Sequence, residues 1–263
     1  MHVEIAESPP GSERVAVLAR RGGDFGLTAV LYYLQALAAE GPLPVRFVAA
    51  THQRSSVSAL VTRDDLAALP DLAGRRLGGP ARGDGLGWMA GELLAGLDAR
   101  GAGRPELVVM SYGEALAALG RGEIDAVANL EELLPLTRRR VGVPLRALPL
   151  GAETYMSGLL AGDWVPGDVV ARMRAAVRTA FKRQRDQPDR GLGELLRRYP
   201  QVHAQDAVDS WSRLVPYVFG NKGPTTMHAH RWSATLEFLA KVHGLSRPDA
   251  ASVWRGAELA TSS

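Results

Sequence analysis

The chain has 263 residues, of which 46% are hydrophobic and 22% are charged, and its formal net charge is +3. The high apolar content and the low net charge exclude intrinsic disorder, and the length is sufficient for two domains. The sequence contains no cysteine, which excludes disulfide scaffolds, cysteine nucleophiles and thiolate metal sites. It also lacks a run of about 18 apolar residues, the length that a membrane-spanning helix requires.

The first 165 residues alternate short apolar runs with helical patterns. The runs predict strands at residues 3–5, 25–30, 45–50, 57–62, 75–78, 107–110 and 124–128. Between them, apolar residues at helical spacing predict helices that begin at Gly11, at Leu31, after the glycines at 83–87, and at Glu114. Strands that alternate with helices at this spacing are typical of a parallel sheet covered on both faces, so the sequence predicts an α/β fold.

The pattern changes after Pro166. Apolar residues then recur with a period of 3.6 over residues 169–181, 192–199, 207–218 and 232–242, which predicts four helices. This part of the chain has no strand-rich stretch from which a further sheet could form. We therefore expect it to pack onto a domain that begins earlier in the chain.

The 31 basic residues are interspersed with 28 acidic ones through most of the chain. Only residues 172–198 are locally basic, and we interpret them as the solvated face of a helix pair. The clustered basic footprint of a nucleic-acid-binding protein is absent, so no nucleic-acid partner is predicted.

Several local patterns occur in a fixed order along the chain. They are Asp71-Leu72-Ala73-Gly74-Arg75-Arg76-Leu77-Gly78, Ser111-Tyr112-Gly113-Glu114-Ala115, Gly122-Glu123-Ile124-Asp125-Ala126-Val127 and Phe238-Leu239-Ala240-Lys241-Val242-His243-Gly244-Leu245. In this order the patterns resemble those of the SsuA/THI5-like (NMT1-type) substrate-binding proteins of ABC importers, which have the type II periplasmic-binding-protein fold.

This resemblance implies two lobes, each a mostly parallel sheet flanked by helices. Lobe 1 would comprise residues 1–78 and 152–263, with the helical C-terminal part packed on it, and lobe 2 would comprise residues 79–151. The implied function is that of the solute-binding component of an ABC importer. A monomer without cofactor or metal would bind a small polar or anionic solute of the sulfonate, nitrate or thiamine-precursor type in the cleft between the lobes, and would deliver it to an ABC permease.

The sequence departs from the family pattern at its start. Family members begin with a strand and a helix that precede the element represented here by residues 3–5, so lobe 1 is expected to be incomplete. We predict that Met1 is not the biological start, or that the chain is a repurposed copy. The family is typically extracytoplasmic, but residues 1–7 lack the features of a signal peptide, and the chain as written is therefore expected in the cytoplasm.

In such a fold the ligand lies beyond the carboxyl ends of strands and near helix N-termini. The segment 51–56 is six polar or small residues between two apolar runs, and it is the strongest candidate. Other candidates follow a predicted strand, form a glycine-rich turn before a helix, or precede a strand expected to return to lobe 1. The predicted ligand contacts are Thr28, Thr51, His52, Gln53, Arg54, Ser55, Arg82, Gly83, Asp84, Gly85, Asn129 and Tyr155.

An enzyme on the same fold is the alternative. Relatives include a sulfinate-cleaving enzyme and a thiamine-pyrimidine synthase, and both depend on a cysteine that this chain lacks. A cytoplasmic enzyme of this desulfinase-like or pyrimidine-forming kind would then rely on His52 as a general base and on Arg54 as an anion clamp.

Overall fold

A computed structural model describes residues 2–9, 11–81, 86–220 and 223–255. Its contacts divide the chain into two compact units. Unit 1 comprises Met1–Gln53, Thr154–Ala180 and Lys222–Ser263, and unit 2 comprises Arg54–Glu153 and Phe181–Asn221. Over the described residues, no helix has both the length and the apolar character needed to cross a bilayer.

The helices and strands follow one another in chain order, with two short 3-10 turns at Leu69–Leu72 and Glu131–Leu133. They are α1 (Gly11–Ala19), β1 (Phe25–Ala29), α2 (Val30–Glu40), β2 (Val45–His52), β3 (Val57–Val61), β4 (Arg76–Gly79), α3 (Gly87–Ala99), β5 (Glu106–Val109), α4 (Tyr112–Gly120), β6 (Ala126–Leu130), α5 (Leu134–Val141), β7 (Arg146–Pro149), β8 (Ser157–Gly162), α6 (Gly167–Asp186), α7 (Pro188–Arg198), α8 (Ala204–Phe219), α9 (Ala229–His243) and α10 (Ala250–Val253).

Unit 1 contains a three-stranded sheet in the order β1-β8-β2, in which β8 runs antiparallel to both neighbours. One face of this sheet packs against an aromatic core that includes Phe47 and Trp232, whose ring centroids lie 5.1 Å apart. The other face packs against α6 through a cluster that includes Leu159 and Val170. Both faces of the sheet are therefore covered within unit 1.

Unit 2 contains a five-stranded sheet in the order β5-β4-β6-β3-β7. Strand β4 is parallel to β5 and β6, whereas β3 is antiparallel to β6 and β7. Apolar residues of α3 such as Leu93 cover one face and residues of α4 such as Leu119 cover the other. Both residues are fully buried, so the sheet is the centre of a two-sided core.

The α/β fold class predicted from the sequence is confirmed, but the sheets are mixed rather than mostly parallel. Among the strands of the described residues, only the two pairs made by β4 are parallel. In unit 1 the middle strand β8 comes from a distant part of the chain and enters between β1 and β2 in the opposite direction. The direction of a strand within a sheet depends on how distant segments of the chain are connected. A run of apolar residues does not encode that connection.

The two units also differ from the predicted lobes of residues 1–78 with 152–263 and of residues 79–151. Strand β3 pairs with β6 and β7, which places the first boundary at Gln53 and Arg54. Helix α8 packs against α5 and the turn Glu131–Leu133, so α7 and α8 belong to unit 2. Of the C-terminal helices, α9, α10 and the greater part of α6 lie in unit 1.

The strand predicted at residues 3–5 is wrong. Residues 2–9 have no regular secondary structure, and 83% of Ile5 is exposed. The short segment Val3-Glu4-Ile5 forms a strand only if another strand pairs with it, and none of the described strands does. The sequence reasoning also missed β7 and α5, although it expected β8.

Candidate functional site

Three strand ends meet at one edge of the sheet in unit 1. Because β8 is antiparallel to β1 and β2, its first residue lies beside the last residues of both. Ser157 is accordingly paired with Ala29 on one side and with His52 on the other. The carboxyl ends of β1 and β2, where the sequence predicted ligand contacts, are thus found at the edge where β8 begins.

Thr51, His52 and Ser157 form a hydrogen-bonded cluster at this edge, here called the hydroxyl–imidazole group. The Ser157 Oγ atom lies 2.5 Å from His52 Nδ1 and 3.0 Å from Thr51 Oγ1. Burial lowers the pKa of His52 from 6.5 to about 4. The imidazole is therefore neutral at pH 7, and the group presents hydrogen-bonding atoms without a charge.

Gln53 connects this edge to α9 and to the loop before it. The fully buried side chain donates from Nε2 to the carbonyl oxygens of Ala50 and Thr226, at 3.2 and 3.0 Å. Arg231 donates to the Gln53 carbonyl oxygen, and its Nη1 lies 3.4 Å from Gln53 Oε1. These bonds hold the backbone rigidly at the last residue of β2 and the residue after it.

Tyr155 lies against the same arginine. The Arg231 guanidinium carbon is 4.6 Å from the centroid of the Tyr155 ring, and the backbone N–H of His228 donates to the Tyr155 hydroxyl at 2.9 Å. Burial raises the pKa of Tyr155. The phenol thus has a backbone partner and an aromatic one, Trp232 at 5.1 Å between centroids. A ligand contact through Tyr155 stays a prediction.

Thr28 does not join the hydroxyl–imidazole group, because successive side chains along a strand project to opposite faces of the sheet. It pairs with Gly158, whereas Ser157 projects to the opposite face of the sheet. Thr28 is 5% exposed, and its Oγ1 is buried without a hydrogen-bond partner among the described residues. A buried hydroxyl without a partner is unfavourable, so Thr28 retains hydrogen-bonding capacity that the fold does not use.

Arg54, Ser55 and Asn129 lie in unit 2, each with partners there. The Arg54 Nε atom is 2.8 Å from Glu153 Oε1, and Ser55 Oγ is 3.5 Å from Glu92 Oε2. The fully buried Asn129 donates from Nδ2 to Thr137 Oγ1 at 2.9 Å and accepts at Oδ1 from the Leu130 N–H at 2.8 Å. The last four predicted contacts, Arg82, Gly83, Asp84 and Gly85, lie outside the described residues.

Two adjacent glutamates follow β6 in unit 2, and the structure gives them different surroundings. Glu131 accepts hydrogen bonds from the Tyr217 hydroxyl and from Arg213 Nη1, the latter at 3.3 Å. Glu132 is 9% exposed, and its Oε2 is buried without a partner among the described residues. Burial raises the pKa of Glu132, although a hydrogen bond with Ser56 opposes that change.

The sequence reasoning missed Ser157 and Arg231, which the structure places beside His52 and Gln53. Ser157 carries a weak signal, because it is a polar residue at the start of an apolar run that was expected to return to the first lobe. Arg231 carries none, since it is one of many arginines in the sequence and lies immediately before the helix predicted at residues 232–242. Only its bonds to Gln53 and its position over Tyr155 distinguish it.

Comparisons with known proteins bear on the family and on the fold. The family model described as "NMT1/THI5 like" matches residues 1–190. A search of curated proteins finds no match. Among solved structures, the periplasmic aliphatic sulphonate binding protein SsuA from Escherichia coli is 16% identical, with a TM-score of 0.74. The alignment covers 94% of this chain and 81% of that protein.

Two further structures show the same fold. The alkanesulfonate-binding protein SsuA from Xanthomonas axonopodis pv. citri, bound to MOPS, is 18% identical with a TM-score of 0.66, over 95% of this chain and 87% of that one. A DszB mutant in complex with biphenyl-2-sulfinic acid is 19% identical with a TM-score of 0.61, over 95% and 88% of the two chains. With the family match extending over most of its length, the chain belongs to the NMT1/THI5-like family.

Proposed function

We propose that this protein is the solute-binding component of an ABC-type importer and that it binds a small polar or anionic solute of the sulfonate, nitrate or thiamine-precursor type. Membership of the NMT1/THI5-like family and the likeness to two SsuA proteins support this proposal. The observation that carries it is the hydroxyl–imidazole group at the edge where β1 and β2 end.

The chemistry of that group suits the recognition of a polar solute. Each hydroxyl donates one hydrogen bond and accepts others, and a neutral imidazole offers one donor and one acceptor nitrogen. Because the pKa of His52 is about 4, these atoms keep the same charge across the physiological pH range. A solute with oxygen or nitrogen acceptors can then exchange its hydration for fixed hydrogen bonds at the strand ends.

An enzyme is the second candidate, and the short contact between Ser157 Oγ and His52 Nδ1 is the observation that favours it. In such an enzyme, His52 would accept the Ser157 proton as the hydroxyl attacks the substrate. However, general bases work best with a pKa near the operating pH, and a pKa of about 4 makes His52 a weak base. Arg54, which was expected to bind an anion in the enzyme, is likewise already paired with Glu153.

Calorimetric titration tests the proposal. The purified protein is titrated with ethanesulfonate, nitrate and an aminopyrimidine, and the same titrations are made with Ser157→Ala. Loss of the hydroxyl that bridges Thr51 and His52 should weaken binding about tenfold. Ser58→Ala is the matched control, because Ser58 is a fully buried serine in the sheet of unit 2 whose Oγ donates to a backbone carbonyl.

If the wild type, Ser157→Ala and Ser58→Ala bind a solute with equal affinity, the hydroxyl–imidazole group is not part of the binding site. If none of the three compounds binds, the proposed class of solute is wrong. An assay of sulfite release from biphenyl-2-sulfinate distinguishes the enzyme, since turnover that Ser157→Ala abolishes would assign catalysis to this group.

A further inference from the structure

Helix α6 carries two arginines in unit 1 that have no acidic partner. Arg174 and Arg178 lie one helical turn apart, and neither forms an ion pair with a carboxylate in the part of the chain that the structure describes. On the same helix, by contrast, Arg172 donates to Asp168 at 2.9 Å. The three arginines of α6 that lie in unit 1 are therefore not equivalent, and two of them have no carboxylate partner among the described residues.

The environment of Arg174 is unfavourable for a cation. Its Nε atom is buried without a hydrogen-bond partner, although the residue as a whole is half-buried. Burial is the main cause of a lowered pKa at Arg174, and the charge of Arg178 contributes. Like charges four residues apart on a helix repel each other, and a partly desolvated guanidinium requires a hydrogen-bonded counter-charge.

Arg178 is held in place by a strained residue. Its Nε donates to Thr225 Oγ1 at 3.2 Å, and the Thr225 N–H donates to the Ala50 carbonyl oxygen at 3.0 Å. Thr225 is fully buried with a φ of 69°, a left-handed conformation that is unfavourable for a β-branched residue. Strain of this kind persists where the surrounding structure requires it, and often at ligand sites.

These arginines belong to the same side of the sheet as the hydroxyl–imidazole group. Met173 and Val177 of α6 pack in a cluster with Leu159 of β8. Ser157 lies two residues before Leu159 on that strand and so projects to the same face. Thr225 bonds to Ala50, the residue before Thr51. Arg178 is thus two hydrogen bonds from β2, and Arg174 is one turn further along the face.

We propose that Arg174 and Arg178 of α6 bind a small oxyanion, namely a sulfate, a phosphate or the sulfonate head of an organic solute. Guanidinium groups suit such a ligand, because their planar donors match pairs of oxyanion oxygens. The anion supplies the counter-charge that both arginines lack and a hydrogen-bond acceptor for Arg174 Nε. This site does not depend on the proposed transport function, because its evidence is the pair of arginines and Thr225.

Thermal unfolding tests the site. The midpoint is measured in sodium sulfate, sodium phosphate and sodium ethanesulfonate, each against sodium chloride of equal ionic strength. A saturable increase is expected, and an anion at ten times its Kd changes the folding equilibrium about elevenfold. Stabilisation by the inorganic anions and by ethanesulfonate indicates a general oxyanion site, whereas stabilisation by ethanesulfonate alone assigns the site to an organic solute.

Three variants decide the assignment. Arg174→Gln combined with Arg178→Gln should abolish the saturable increase, Arg174→Lys should weaken anion binding about tenfold because it loses the planar donors, and Arg172→Gln should leave it unchanged. In chloride alone, Arg174→Gln should unfold at or above the wild-type midpoint, because it removes an unpaired charge.

A saturable increase that survives in the double variant, or its absence from the wild type with all three anions, would overturn the proposal. The titration with Ser157→Ala described above remains an independent measure of the proposed function.

Discussion

Strand β2 in unit 1 and strand β6 in unit 2 both end in polar residues. The two strand ends differ in charge. At the end of β2, His52 is neutral and shares hydrogen bonds with hydroxyl groups. At the end of β6, Glu131 accepts hydrogen bonds from Tyr217 and Arg213 of α8. Glu132 is buried, and its Oε2 has no hydrogen-bond partner within the described part of the chain. Burial disfavours the charged form in both units, lowering the pKa of the histidine and raising that of Glu132.

This contrast shows what each edge can do. Solute recognition is the role proposed for the neutral atoms beside β2, whereas the carboxylate of Glu131 beside β6 bonds to a helix. The following experiments separate these two roles, beginning with the largest effect.

The largest effect is expected in the core that supports the edge of unit 1. Trp232 is fully buried and its ring packs on Phe47, Tyr155 and Trp254. Trp232→Ala should lower the free energy of unfolding by about 3–5 kcal/mol. Urea unfolding followed by circular dichroism measures it. Leu119→Ala in unit 2 is the comparison, and a cost below about 1 kcal/mol for Trp232→Ala would show that this aromatic core does not support the fold.

The pH dependence of stability should reveal His52. Its pKa is about 4 in the folded protein and 6.5 ordinarily, so between these values the unfolded chain binds the proton more readily. Stability contributed by the neutral imidazole is complete above pH 6.5 and is lost as the pH falls towards 4, by at most about 3 kcal/mol. Urea unfolding at pH 7, 5.5 and 4.5 should show this loss in the wild type and a smaller one in His52→Gln. Identical pH profiles would contradict the burial of His52.

The contact between Glu131 and α8 should contribute less. Glu131→Gln removes the charge that accepts hydrogen bonds from Tyr217 and Arg213, and should lower the free energy of unfolding by about 1–2 kcal/mol at pH 7. Tyr217→Phe should produce a loss of similar size. A neutral result for both would mean that α8 is held by its apolar contacts alone.

Substitution of the neighbouring Glu132 should change the free energy of unfolding in the opposite direction. Because the pKa of Glu132 is raised above its ordinary value of 4.5, the folded state loses stability as the pH rises from that value towards the folded pKa, above which the loss is complete. Glu132→Gln should therefore raise the free energy of unfolding by about 1 kcal/mol at pH 7, and the gain should vanish near pH 4. Destabilisation at pH 7 would instead identify Glu132 as an ion-pair partner like Glu131.

The smallest change in stability is expected for Arg54→Ala. Arg54 and Glu153 form a largely exposed pair, which contributes about 0.5 kcal/mol or less. If Arg54 also contacts the solute, this variant should lose the increase in melting temperature that a bound solute produces in the wild type. Retention of the full increase would remove Arg54 from the predicted contacts.

Much of the local structure was predictable because it depends on local patterning. The helix at residues 31–40 and the strand at 57–62 agree with α2 and β3 to within one residue, because their apolar periodicity coincides with what is buried. Residues 3–5 also contain two apolar side chains, Val3 and Ile5, yet Ile5 is exposed. The difference is the presence of a partner strand, which no short segment specifies.

The candidate site was predictable only in part. The sequence predicts Thr51, His52 and Gln53 as ligand contacts because polar residues between two apolar runs are expected to face solvent or a cleft. The structure instead buries Thr51 and Gln53. Their partners Ser157 and Arg231 come from segments more than 100 residues away. Residues 51–56 do not form one segment between the strands, because β2 extends through His52 and the boundary between the units falls after Gln53.

The sequence by itself determined the α/β class, the positions of most helices and strands, and the family, because all of these depend on the order of residues along the chain. The tertiary structure alone decided which sheet each strand joins, the entry of β8 between β1 and β2, and the directions in which the pKa values of His52 and Glu132 shift. These features depend on contacts between distant segments and on the loss of water around them. The burial that lowers the pKa values of His52 and Arg174 exists only after the chain has folded.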